Sequence, residues 1–160
     1  MNIEILKLLE TDSKMTVTDI AKMLGLDEAA VAADIKAMEE GKVICGYHTM
    51  IDWDKVAEEK VTALIEVKVT PQRGQGFDKI AERIYNFEEV NAVYLMAGSF
   101  DFTVILQGTS LKEVSRFVSE KLSTMEQIIS TSTHFVLKKY KDHGIIFDAV
   151  KQDERLVIAP

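Results

Sequence analysis

Residues 18–40 read TDIAKMLGLDEAAVAADIKAMEE. Apolar residues recur at intervals of three and four on both sides of a single glycine, the spacing of two short amphipathic helices. Thr18 is expected to cap the first, with Ile20, Ala21 and Leu24 turned inward. Gly25 supplies the left-handed turn. Asp27 is expected to cap the second helix, whose buried stripe would be Ala30 or Val31, then Ile35 and Met38. A small residue at 21 lets the helices cross closely, and a branched one at 31 packs back across the turn. That combination favours a helix-turn-helix over an unspecialised three-helix core.

Upstream, NIEILKLLETDSK places Ile3, Leu6 and Leu9 on one side, widened by Ile5 and Leu8, a first short helix. Downstream, KVICGYHTMIDWDKVA suggests an extended pair or wing and then a brief helix near Trp53–Ala57, with Trp53 anchoring the joint. The acidic EEK at 58–60 marks the expected boundary.

Residues 61–139 follow a different pattern. VTALIEVKVT alternates Ala63, Ile65, Val67 and Val69 on one face, a strand. PQRGQG is a turn-rich loop. FDKIAERIYNF repeats Phe77, Ile80, Ala81, Ile84 and Phe87 at helical spacing. VNAVYLMAG, GSFD and FTVILQG form a hairpin, and SLKEVSRFVSEKLSTM a helix with Leu111, Val114, Val118 and Met125 inward. IISTSTHFVLKKY closes the series as a strand. The order βαββαβ predicts a ferredoxin-like antiparallel sheet with both helices on one face. The fold class is thus α+β: an N-terminal helix-turn-helix domain, winged-helix-like, over residues 1–60, then a ferredoxin-like domain over 61–139 and an extension over 140–160. The strands are apolar on both faces: Leu64 opposes Ile65, Tyr94 and Met96 oppose Val93 and Leu95, and Ile105 opposes Val104. A sheet of that kind calls for a partner, most economically a second copy. The tail carries two apolar patches, GIIF and RLVIAP, suited to edge strands, to a clasp on a neighbouring subunit or to a half-ordered end.

Hydrophobic residues make up 47% of the chain and charged residues 28%, the composition of a globular protein. No apolar run approaches the roughly 18 residues of a membrane span, and the N-terminus does not read as a signal peptide. The single Cys45 excludes an internal disulfide and fits a reducing compartment. The cytoplasm is the expected location. Net charge is −7, unevenly spread: residues 1–60 hold seven lysines, no arginine and thirteen acidic residues, whereas 61–139 balance at nine of each sign. The acidity lies in the very segment expected to meet phosphates.

A helix-turn-helix followed directly by this βαββαβ unit resembles the feast/famine, or Lrp/AsnC, family of transcription regulators. The resemblance rests on MTVTDIAKMLGLDEAAVAADIKAMEE, KVICGYHTMIDWDKV, TALIEVKVT, VYLMAGSFDFTVIL and TSTHFVLKKYK, and runs from about residue 3 to 139. It implies a dimer that assembles further, to a tetramer or octamer, with N-terminal domains on double-stranded operator DNA and an amino acid or similar small effector bound by the second domain. By the same resemblance, GSFD puts Gly98 and Asp101 where relatives contact the effector, and Met96, Thr131 and Thr133 at matching positions on neighbouring strands. An amino acid's ammonium suits the Asp101 carboxylate, and its carboxylate suits backbone N–H groups near Gly98. The same turn also has a purely structural reading, an Asp bonded to its own backbone.

Two features depart from the family. The first helix begins early, and the reading helix presents Ala32, Ala33, Asp34 and Ala37 where relatives carry basic residues, leaving Lys36 alone to reach base edges. Phosphate contacts are expected from Thr16, Thr18, Lys22, Lys42 and His48 together with helix N-termini, giving weak, salt-sensitive binding. An alternative is an effector-sensing oligomerisation module whose acidic helix-turn-helix no longer binds DNA by itself. Catalysis is not expected: His48, His134 and His143 are scattered without metal-ligand spacing, Cys45 has no evident base, and RGQG lacks the Lys-Ser/Thr of a phosphate loop. Neither a cofactor nor a metal is called for.

Overall fold

The computed structural model describes residues 1–56, 60–70, 76–108 and 110–147. Two compact units divide between Ile51 and Asp52. The first consists of three helices, α1 (Ile3–Thr11), α2 (Val17–Leu24) and α3 (Glu28–Glu40). Its core is Ile5, Leu9, Ile20, Ala21, Val31 and Met38, all buried. The stripe of α1 is therefore centred on Ile5 and Leu9. Ile3, expected inward, is 59% exposed, because positions four apart on a helix share a face and the first turn overhangs the core. Of the two candidates on α3, Val31 is buried and Ala30 is exposed.

The caps explain where these helices begin. Asn2 accepts the Glu4 N–H, and Asp27 accepts the Ala30 N–H at 3.1 Å. The cap of α2 is Thr16, not Thr18: its hydroxyl accepts the Asp19 N–H at 3.1 Å and donates to the Asp19 carboxylate at 2.6 Å. An acid at the third helical position completes that reciprocal arrangement for Thr16, whereas Thr18 lies within the first turn. Gly25 sits at φ 64°, and the Leu26 N–H returns to the Ala21 carbonyl at 2.9 Å. After α3 the chain makes no wing. Lys42 takes φ 56°, the N–H groups of Val43 and Ile44 both donate to the Met38 carbonyl, and residues 43–50 are irregular. Tyr47 Oη donates to Glu39 at 2.8 Å and holds this segment against the end of α3.

The second unit opens with a brief 3-10 helix over Trp53–Lys55, within the stretch where one was expected. Lys60 Nζ sits 3.4 Å from the centre of the Trp53 ring. The elements that follow are β1 (Val61–Val69), α4 (Gly76–Tyr85), β2 (Val90–Leu95), β3 (Phe102–Gly108), α5 (Leu111–Phe117), a π turn (Val118–Leu122) and β4 (Ile128–Phe135). The sheet runs β2-β3-β1-β4, antiparallel throughout, as the order βαββαβ requires. One face is core: Ala63, Ile65, Val67 and Val69 pack with Phe102, Val104 and Leu106, under Ile80 and Ile84 of α4 and Val114 and Phe117 of α5. Phe77 meets Phe102, and Phe87 meets Phe117, edge to face at 5.9 and 5.3 Å.

Three expectations change here. Leu111 is 56% exposed, and Phe117 and Leu122 are buried in its place. The π turn adds a residue to the helical circuit and rotates the later positions relative to the earlier ones. Leu95 pairs with Phe102 on the core face yet is 58% exposed, since it ends an edge strand. The final strand stops at Phe135. The chain then forms a two-residue hairpin, β5 (Lys141–Asp142) with β6 (Ile145–Ile146), from the GIIF patch. RLVIAP and most of PQRGQG lie outside the described residues.

Candidate functional site

The end of β2 and the start of β3 are tied together by polar contacts. The Met96 N–H donates to the Asp101 carbonyl at 2.8 Å, closing the hairpin, and the Asp101 N–H donates to Val67 at 3.0 Å. The Asp101 carboxylate accepts the Val69 N–H at 2.8 Å through Oδ2. That bond falls where the register between β1 and β4 slips, between Lys68 and Val69, and it takes up a donor that the ladder leaves over. The Asp101 carboxylate therefore has a structural role toward β1, not the bond to its own turn that the sequence suggested. Its Oδ1 accepts no bond among the described residues.

Gly98 is exposed, has no positive φ, and a Cβ built there would meet nothing within 4 Å. Backbone conformation and packing within one chain leave that position open to any residue. The Gly98 and Ser99 N–H groups donate to no acceptor among the described residues. One carboxylate oxygen and a short run of exposed donors thus stand beside a residue without a side chain.

Met96, Gly98 and Asp101 come together at this turn. Thr131 and Thr133 do not join them within one chain: they pair with Val67 and Ile65 and face the helix-covered side of β4. One participant was missed from sequence: Val69, whose bond to Asp101 depends on a register slip that no residue pattern announces. A polar set that sequence reasoning also missed, Glu66, Ser132 and His134, lies on the uncovered face outside this site, and Glu66 inside an apolar strand was its available signal.

In the first unit, Thr16, Lys22, Ala32, Ala33, Lys36 and Lys42 are all exposed, and Thr18 is half-buried. The Thr16 hydroxyl is committed to its cap. Lys36 lies 3.8 Å from Glu40 one turn along α3, and Asp34 meets the N-terminal amine at 3.5 Å. The exposed surface of α3 is alanine and acid, with Lys36 as its one cation.

The family models match in two blocks that fit this division: an AsnC-type helix-turn-helix domain over residues 1–39 and an Lrp/AsnC ligand binding domain over residues 62–146. The chain belongs to the Lrp/AsnC family. It is 51% identical over 158 residues to the HTH-type transcriptional regulator YugG of Bacillus subtilis (strain 168), spanning 98% of this chain and 95% of that one. An AsnC family transcriptional regulator from Agrobacterium tumefaciens has a solved structure with TM-score 0.69 and 26% identity, over 89% of this chain and 94% of that one. The transcriptional regulator NMB0573/L-Met complex from Neisseria meningitidis shares the fold, with TM-score 0.70 and 20% identity over 88% and 90%.

The protein is thus an Lrp/AsnC-type transcriptional regulator with a ligand-binding domain, and its relatives are regulators rather than enzymes. Membership favours this reading over a module that has lost DNA. Among the described residues no helix is long and apolar enough to cross a membrane.

Proposed function

We propose that the protein is a homodimeric regulator that binds double-stranded DNA weakly through α2 and α3 and takes a free amino acid at the turn between β2 and β3. The observation that carries the effector reading is the pairing of unengaged Gly98 and Ser99 N–H groups with the open Oδ1 of Asp101. An α-amino acid presents an anion and a cation one carbon apart, which such donors and such an acceptor match. Gly98 leaves room for close approach, and the Met96 side chain offers an apolar flank. L-methionine, held by the Neisseria relative, is the first candidate. Thr131 and Thr133 would reach a ligand only from another protomer or on reorganisation of β4.

For DNA, the exposed Thr16, Lys22 and Lys42 and the half-buried Thr18 belong to the helix-turn-helix domain, while Ala32 and Lys36 occupy the reading surface. With so few cations, counterion release contributes little and the intrinsic affinity is low. Assembly of dimers into a tetramer or octamer supplies the missing strength by avidity.

The test is a titration of the full chain with each of the twenty amino acids, followed by filter binding to upstream DNA with and without the ligand found. Saturable binding that Asp101→Asn abolishes is expected, and a measurable shift in DNA affinity on ligand addition. Retention of ligand binding by Asp101→Asn would sink the site assignment.

A further inference from the structure

The hairpin that follows β4 holds the densest positive charge in the chain, and neither site above uses it. Residues 138–143 read KKYKDH, and no other six consecutive residues hold three cations in a sequence of net charge −7. Lys138, Tyr140 and Lys141 are exposed and Lys139 is half-buried. Lys138 Nζ lies 5.2 Å from the centre of the Tyr140 ring. The one acid of the run, Asp142, is met by His143 Nδ1 at 2.8 Å.

A defined frame carries these side chains. Lys141 pairs with Ile146 and Asp142 with Ile145 across a two-residue turn. His143 and Gly144 take φ 44° and 83° there, two left-handed residues in succession, which matches the twist of a hairpin. The Phe147 N–H donates to the Tyr140 carbonyl at 3.1 Å, and the Phe147 carbonyl accepts Lys55 Nζ at 3.1 Å. The second bond fastens the hairpin to the 3-10 helix that opens the second unit. The lysines thus stand at the end of this unit where the chain enters it.

We propose that the hairpin is a second contact for the phosphates of double-stranded DNA, made by Lys139, Lys141 and the Tyr140 hydroxyl, which rests on the DNA reading above. Ammonium and phenol groups donate to phosphate oxygens and carry no base information. The contact therefore adds affinity on any sequence. DNA is favoured over an acidic protein because the chain belongs to a family of DNA-binding regulators and α3 supplies Lys36 alone. Phosphates are the partner whose neutralisation the helix-turn-helix leaves unaccounted for. A protein partner would instead bury Ile145 and Ile146, which are 51% and 62% exposed, and would show as a change of assembly.

Filter binding of the full chain and of its Lys139→Gln/Lys141→Gln variant, over a salt series on upstream DNA and on an unrelated duplex, tests this. The parent's slope of log affinity against log salt should become shallower by about 0.9 for each lysine that meets a phosphate, equally on both duplexes. The variant should sediment as the parent does. In the parent itself, DNA should protect Lys139 and Lys141 from an amine-specific label, a readout that needs no variant to fold. An unchanged slope, or lysines labelled equally with and without DNA, overturns the hairpin contact and leaves the helix-turn-helix reading standing. Altered sedimentation with the slope unchanged overturns it in favour of a protein partner. A parent that binds neither duplex at low salt overturns the DNA reading itself, and the hairpin contact with it.

Discussion

Asp101 and Val69 are joined across the sheet: the carboxylate of one accepts the backbone N–H of the other at 2.8 Å, where β1 slips against β4. The other oxygen of that carboxylate, Oδ1, accepts no hydrogen bond among the described residues. One side chain thus secures the strand end and is available to a ligand, and the two roles separate by mutation. Asp101→Ala leaves the Val69 N–H without its partner and is expected to destabilise the second unit by about 1–3 kcal/mol. Asp101→Asn keeps an acceptor amide oxygen and loses the charge. Its thermal midpoint should stay close to the parent's while amino-acid binding disappears, as calorimetry of both variants will report.

The surface of α3 makes a quantitative statement about DNA. Each phosphate neutralised adds about 0.9 to the slope of log affinity against log salt. The parent, with Lys36 alone on that helix and Glu40 beside it, should show a shallow slope between 50 and 200 mM salt (roughly, the range in which such slopes are read). Ala33→Lys places a second cation on an exposed position and should steepen the slope by about one unit per half-site engaged. Filter binding at several salt concentrations checks this, and an unchanged slope would move the contact away from α3.

Two positions in the first unit carry left-handed backbone. Gly25 at φ 64° tolerates it, and Lys42 at φ 56° does so at a cost. Gly25→Ala is expected to lose about 1 kcal/mol of stability. Lys42→Gly relieves strain and should gain up to about 1 kcal/mol, offset in part by the entropy of the unfolded chain. If Lys42 meets phosphate, the same variant binds DNA more weakly although it is more stable. Chemical denaturation paired with filter binding separates the two effects.

The alternation of Ala63, Ile65, Val67 and Val69, the helical spacing of Ile80 and Ile84, and the glycine between α2 and α3 were legible because each follows a regular period or a single backbone requirement. What escaped depends on relations between distant residues. The wing expected from Val43 to Ile51 failed because a return to the Met38 carbonyl and the Tyr47–Glu39 bond stabilise an irregular path. The inward face of α5 was misread at Leu111 because that residue opens the helix, a turn before the buried Val114, and extends past the core. At the hairpin, GSFD was visible, but the partner of Asp101 was not, since a register slip leaves no mark on the sequence.

That misreading gives its own test. Leu122 is fully buried after the π turn, and Leu111 is exposed at the start of α5. Leu122→Ala should cost about 2–5 kcal/mol, by lost burial and a residual cavity. Leu111→Ala should stay within about 0.5 kcal/mol. Equal effects in thermal unfolding would mean that Leu111 is packed into the core as Leu122 is.

Glu89 and Lys121 form the ion pair that fastens the π turn to the loop before β2. The hydrogen bond from Lys121 holds the Glu89 carboxyl below its ordinary value of 4.5, against the opposing effect of desolvation. A carboxylate depressed in the folded state binds fewer protons there than in the unfolded chain. Its contribution is therefore fully present above pH about 4.5 and fades as pH falls through the lower, folded value. Glu89→Gln removes this dependence. At neutral pH the variant should be the less stable of the two. The gap should narrow steadily on acidification and close at the acid end, where both carry a neutral side chain at 89. Urea unfolding at intervals from neutral pH downward follows the gap directly, and one that widens toward acid would reverse the assigned direction of the shift.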